Sequence, residues 1–180
     1  MRDPLRLWDR EIRPFLSAQV SAQLASEPWQ VEGYYRLRER IFAEEQGLFE
    51  HSDYDHFDRV ASPIVALSHF AGVPNEVVGV VRIYEAEPGI WFGGRLGVSH
   101  GYRRRGAVGT ALITCAVSTA HARGCRRFFA TVQERNVRYF EHHAFRAVEA
   151  IELCGRPHQL MEAELSSYPP ASSREASRAA

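Results

Sequence analysis

Arg95-Leu96-Gly97-Val98-Ser99-His100-Gly101-Tyr102-Arg103-Arg104-Arg105-Gly106-Ala107-Val108-Gly109-Thr110-Ala111-Leu112 is the stretch on which the reading of this chain turns. A strand-like segment ends, a turn rich in glycine and arginine follows, and a helix begins. At a helix start about four backbone N–H groups lack a partner inside the helix. Those groups and the helix dipole favour an anion placed there. Gly106 and Gly109 leave room for close backbone approach, and Arg103, Arg104 and Arg105 add charge for phosphate oxygens. The turn is not a Walker loop, because no Gly-Lys-Ser/Thr follows. Nor is it a dinucleotide fingerprint: GxGxxG is missing, and the preceding strands read as an antiparallel meander.

Outward from this turn, strands and helices alternate. On the N-terminal side, Ile90 to Val98 reads as a strand. Ile64 to Phe70 and Val77 to Tyr84 read as a hairpin, with turn chemistry in Gly72-Val73-Pro74-Asn75. Earlier still, Val31, Tyr34, Leu37, Ile41 and Phe42 recur at helical spacing, leaving Arg36, Arg38, Glu39 and Arg40 for solvent. Before that helix, Ala18, Val20, Ala22 and Leu24 share one face of a strand over Ser17 to Leu24. An acidic loop runs from Phe49 to Asp58.

On the C-terminal side, Val108, Ala111, Leu112, Cys115 and Thr119 form one stripe of a helix ending near Gly124. Phe128 to Val132 reads as a buried strand and Arg135 to His143 as a short helix. Ala147 to Leu153 and Gln159 to Leu165 suggest a last strand pair. An antiparallel start, one βαβ-like crossover and a closing hairpin indicate an α+β sheet.

The run from Arg103 resembles motif A of the GNAT superfamily of N-acetyltransferases, Gln/Arg-x-x-Gly-x-Gly/Ala between a strand and a long helix. Arg103-x-x-Gly106 matches, whereas position 108 is Val and the second glycine comes one residue later, at Gly109. Either the loop carries a one-residue insertion or the helix starts differently. Val132-Gln133-Glu134-Arg135-Asn136-Val137-Arg138-Tyr139-Phe140-Glu141-His142-His143-Ala144-Phe145 resembles motif B, with Ala144-Phe145 in place of Gly-Phe. Leu37 to Phe49 is similar to the first helix of the nitrogen-starvation N-acetyltransferases of nitrilase gene clusters. Its Arg-x-x-x-Phe spacing also recurs in acyl-homoserine-lactone synthases. The resemblance covers Ser17 to Leu165. It implies a mostly antiparallel mixed sheet, splayed at two parallel strands and flanked by helices.

The resemblance also implies direct transfer of an acetyl group from acetyl-CoA, as cosubstrate, to the amine of a small molecule. Leu96, Gly97 and Val98 would then meet the pantetheine. Arg103, Arg104, Arg105, Gly106, Ala107, Val108, Gly109 and Thr110 would receive the pyrophosphate, with Asn136 and Phe140 along the cofactor. A positioned base must deprotonate the ammonium before attack. Glu44, Glu45 and Glu85 are candidates for it. Asp53, Asp55 and His56 in the acidic loop are candidates to hold a cationic acceptor or to accept its proton; the alternative is a solvated loop. In the superfamily a tyrosine often protonates the leaving thiolate, but its position here is Phe140. Tyr139 can substitute only if its helix is rotated, since one residue turns a side chain by about 100°; otherwise water serves.

Zero formal net charge gives no general attraction to nucleic acid or acidic membrane. No apolar run reaches the roughly 20 residues that span a bilayer. The N-terminus lacks the apolar core of a secretion signal. Cys115, Cys125 and Cys154 are odd in number without CxxC spacing, consistent with free thiols in a reducing cytoplasm. The Asp/His spacing of the acidic loop fits no calcium loop, so no metal is expected. The domain is expected over 17–167, after an N-terminal arm (1–16) and before a disordered tail (168–180). Family analogy suggests a homodimer through the sheet edge or the arm. Two other readings keep the fold: a CoA-binding sensor without turnover, and an acyl-homoserine-lactone synthase.

Overall fold

The computed structural model describes residues 16–47, 52–153 and 155–171, apart from the side chain of Arg105. Seven strands form one sheet: β1 (Val20–Leu24), β2 (Ser62–Phe70), β3 (Val73–Glu87), β4 (Ile90–Val98), β5 (Arg127–Gln133), β6 (Phe145–Leu153) and β7 (Arg156–Ala163). Their spatial order is β1-β2-β3-β4-β5-β7-β6. Every neighbouring pair is antiparallel except β4–β5. Helix α1 (Pro28–Arg38) packs on one face, α2 (Ala107–Ala122) on the other, and the short α3 (Val137–Glu141) precedes β6. The fold is therefore α+β with a mixed sheet.

Helix α2 buries more than the single stripe read from its sequence. Val108, Leu112, Ile113, Ala116, Val117 and Ala120 are all at most 3% exposed. Each large apolar side chain withdrawn in this way contributes roughly 1.5–3 kcal/mol. The helix comes this close to β3 because residue 79 is glycine. A Cβ there would lie 2.8 Å from both Val108 Cγ1 and Leu112 Cδ1. The crossover β4–α2–β5 is what makes the one parallel pair.

That pair is short. Its register runs from Ile90↔Arg127 to Gly93↔Ala130 and ends there. Beyond it β4 bulges: Val80 faces Gly97 and Arg82 faces Gly94, so β4 carries one residue more than β3. Arg95, within the bulge, has φ +55°. Such an insertion bends a strand and raises its twist, so β4 leaves β5 and a wedge opens between them.

Two expectations need correction. The β2–β3 turn lies at Ala71 and Gly72, both at positive φ, and Val73-Pro74-Asn75 already belong to β3. Arg38, expected at the surface, is wholly enclosed. It follows Tyr34 by one helical turn and so shares its buried face. The helix then widens to a π-helical stretch over Glu39–Glu45, which keeps Ile41 and Phe42 buried. At the other end, Tyr168 is buried against Phe145, and Ala171 N–H donates to the Ser118 carbonyl at 3.1 Å. Residues 1–15 of the expected arm, 172–180 of the tail, Phe49 and Cys154 lie outside the described residues.

Candidate active site

Two cavities meet at the wedge. One, of about 410 Å³, lies between the end of β4, the start of α2 and α3. The other, of about 500 Å³, runs through the wedge to both faces of the sheet. Gln46, Leu96, Asn136 and Phe140 line both and mark the junction.

The smaller cavity gathers most of the expected cofactor residues. Leu96, Gly97, Val98, Arg103, Gly106, Gly109, Asn136 and Phe140 line it. Past Gly93, the β4 backbone has no register with β5, so that edge is open to a ligand except at the Val98 carbonyl, which accepts from Arg103. A 3₁₀ turn (His100–Arg105) leads to Gly106, whose φ of +66° suits glycine and starts α2 directly. No side chain caps that helix start. The shifted second glycine is thereby explained without an insertion. Val108 is spent on the core, whereas Gly109 is helical and faces Tyr139, where a Cβ would lie 2.4 Å from the phenolic oxygen. Ala107 and Thr110 stand just outside the cavity lining. Thr110 Oγ1 donates to the Gly106 carbonyl and pairs with His143 Nε2. Arg104 is exposed on the 3₁₀ turn, and the side chain of Arg105 lies outside those described.

The proposed bases fare differently. Glu45 pairs with Arg103, which also donates to the Val98 carbonyl at 2.8 Å. Glu44 is exposed on the π-helical stretch. Glu85 accepts from Gly89 N–H at 2.8 Å and so caps the β3–β4 turn. None of the three lines either cavity. Tyr139 lines only the smaller one, with its hydroxyl 3.5 Å from the Gly106 carbonyl, and burial pushes the phenol up. It is Phe140 that reaches the junction.

The acidic loop is not a solvated one. Asp53 and Asp58 are buried and bind arginines of three separate elements. Arg38 holds Asp53 at 2.7 Å and Asp58 at 2.5 Å; Arg82 holds Asp55 at 2.6 Å and Asp58 at 2.8 Å. Arg95 holds Asp53 at 3.2 Å and Asp55 at 3.1 Å. Three guanidiniums thus meet three carboxylates, and the formal charges cancel. Of the expected acceptor-binding residues only Asp55 lines the larger cavity; His56 is exposed, its ring tilted against Phe57. Burial pushes the Asp55 carboxyl up, but hydrogen bonds and charge from Arg82, with charge from Arg95, outweigh it and hold it low.

Arg82, Tyr84 and a histidine also line the larger cavity and were not expected from the sequence. His158, 7% exposed on β7, sits opposite Gln133 at the wedge end of β5. Its Nδ1 lies 2.9 Å from the Arg156 carbonyl. A carbonyl only accepts, so Nδ1 carries a proton and Nε2 is the nitrogen left to take one. Only the pairing of β5 with β7, a long-range feature, brings His158 to the wedge. Across the same opening Gln133 Nε2 donates to Gln46 Oε1 at 3.3 Å.

A strand splayed from its one parallel neighbour above an uncapped, arginine-flanked helix start agrees with the comparison with known families. Residues 22–145 match the Acetyltransferase (GNAT) family. The chain belongs to the GNAT family. The acyl donors of GNAT enzymes are acyl-CoA thioesters. Among curated proteins none matches the sequence. Solved structures of similar fold include Escherichia coli ElaA, with 22% identity and TM-score 0.66 over 81% of this chain and 99% of that one. An acyl-CoA N-acyltransferase from Pseudomonas aeruginosa has 19% identity and TM-score 0.65 over 81% and 98%. The CoA-dependent acyl-homoserine lactone synthase BjaI has 18% identity and TM-score 0.61 over 79% and 81%. At these identities the likeness is one of fold. No helix among the described residues is long and apolar enough to cross a membrane.

Proposed function

We propose that this GNAT protein transfers an acyl group from an acyl-CoA to the amine of a small molecule that enters the larger cavity on its α1 side. The observation that carries this reading is the meeting of the two cavities at Leu96, Asn136 and Phe140. The smaller cavity has the uncapped α2 start for a pyrophosphate and open β4 backbone for pantetheine. Bound there, the CoA thioester supplies an activated acyl carbon at the junction.

His158 is the base in this reading. Nε2 takes one proton from the acceptor ammonium; the freed amine forms the new N–C bond as the C–S bond breaks, and the new amide nitrogen gives its surplus proton to water. The departing thiolate takes a proton from water, because Phe140 has none to give and Tyr139 stands at the helix start. A thiol pKa near 8.5 makes that leaving group tolerable. Aromatic rings of Phe57, Tyr84 and Phe92, stacked in series, wall the acceptor side. Kinship with the nitrogen-starvation N-acetyltransferases rests on the first-helix run Leu37 to Phe49.

Calorimetric titration with acetyl-CoA tests the reading. Micromolar binding is expected, lost in Gly106→Asp, which puts a carboxylate and a strained φ at the phosphate site, and weakened in Arg103→Ala. A folded protein that binds no CoA species would overturn it.

A further inference from the structure

Strand alternation divides the larger cavity into two lobes of opposite chemistry. Successive side chains of a strand point to opposite faces. On β5, Phe128, Ala130 and Val132 belong to the core under α2, whereas Gln133 points to the α1 side and meets Gln46. On β3, Val81 belongs to the α2 side, and Arg82 and Tyr84 face the acidic loop. The α1-side lobe therefore carries the charged cluster, the stacked aromatics and His158. The α2-side lobe is bounded by Ile113, Ala116, Val117, Phe128, Ala130 and Phe145. Each of these is at most 6% exposed, and none can ionise or donate a hydrogen bond from its side chain.

Open volume in such a place calls for an occupant. Protein interiors pack like organic crystals, with few voids larger than a water molecule. A void lined only by hydrocarbon offers water no partners and takes an apolar guest instead. A polar acceptor amine has no reason to enter it. The lobe opens through the wedge at the junction, beside Phe140, where the thioester carbonyl lies in the proposed reaction. Its inner wall keeps alanines at positions 116 and 130, on α2 and β5, where larger side chains would close it.

Resting on the acyl-CoA reading above, we infer that this lobe receives the acyl chain, and that the natural donor carries an aliphatic acyl group longer than acetyl. The two lobes then separate the substrates: hydrocarbon on the α2 side of the sheet, amine on the α1 side. Each methylene transferred from water into the lobe strengthens binding roughly fourfold.

The test is calorimetric titration of the full chain with CoA, acetyl-CoA and hexanoyl-CoA, repeated on Ala116→Leu and on the milder Ala116→Val. Hexanoyl-CoA is expected to bind at least about tenfold more tightly than acetyl-CoA. Ala116→Leu should erase that ratio and Ala116→Val reduce it, so a folding failure of the first leaves the second to decide. Equal affinity for the two thioesters, or a ratio unchanged in a folded variant, overturns the inference while the acyl-CoA reading stands. No binding of any of the three overturns both.

Discussion

Arg38 donates to Asp58 through both terminal nitrogens, Nη1 at 2.5 Å and Nη2 at 3.1 Å, with both side chains closed off from solvent. Removing one member of such a pair strands a buried charge, which costs about 3–5 kcal/mol. Asp58 also holds Arg82, so Asp58→Ala should sit at the upper end. Urea denaturation would register this as a lower midpoint at unchanged slope.

The same carboxylate makes stability depend on acid. Burial pushes the Asp58 carboxyl up, but hydrogen bonds from Arg38, the Asp55 backbone and Arg82 prevail and hold it at about 2, against 3.8 ordinarily. A carboxyl held low in the fold contributes stability above its unfolded value and loses it as pH falls toward the folded one. The urea midpoint should be level near neutrality and drop between about pH 4 and pH 2. Asp55 is shifted the same way. The slope should be visibly shallower in Asp58→Asn, even though that variant starts from a lower midpoint.

At the phosphate-binding turn, Gly109→Ala would drive a methyl group to 2.4 Å from the Tyr139 oxygen. Overpacking of this kind typically costs about 1–3 kcal/mol, and here it would displace the ring that flanks the helix start. Weaker acetyl-CoA binding is expected in calorimetry. Tyr139→Phe removes the offending atom and should restore much of the loss in the double variant.

His158→Gln separates the proposed base from the glutamates. Loss of a general base lowers turnover by roughly 10²–10⁴-fold, and acetyl-CoA affinity should be retained because His158 lies outside the smaller cavity. Glu45→Gln, which breaks a half-exposed pair with Arg103, should leave kcat within a few-fold. Steady-state kinetics with a turned-over amine would decide; the reverse ranking would return the role to Glu45.

Much of this was legible from residues near one another in the chain. The strand Ile90–Val98 and the α2 start follow from local pattern, and the helix start with its arginines marks the cofactor side. What local pattern misses is pairing between distant segments. Arg38 looks like a surface cation until Asp53 and Asp58 are brought to it, although its spacing of four from both Tyr34 and Phe42 already places it on the buried stripe. Asp55 looks like a ligand for a cation until Arg82 occupies both its oxygens. His158, in a polar stretch, gains meaning only when β7 lies beside β5.

The ion cluster also bears on how the protein breathes. Local opening normally releases irregular segments well before strands. The loop at Asp53–Asp58 is bolted to α1, β3 and β4 at once, so freeing it means undoing the walls on which the sheet itself depends. Its amides should therefore exchange with deuterium on the slow clock of global unfolding, and the acceptor chamber should keep its shape whether or not anything occupies it.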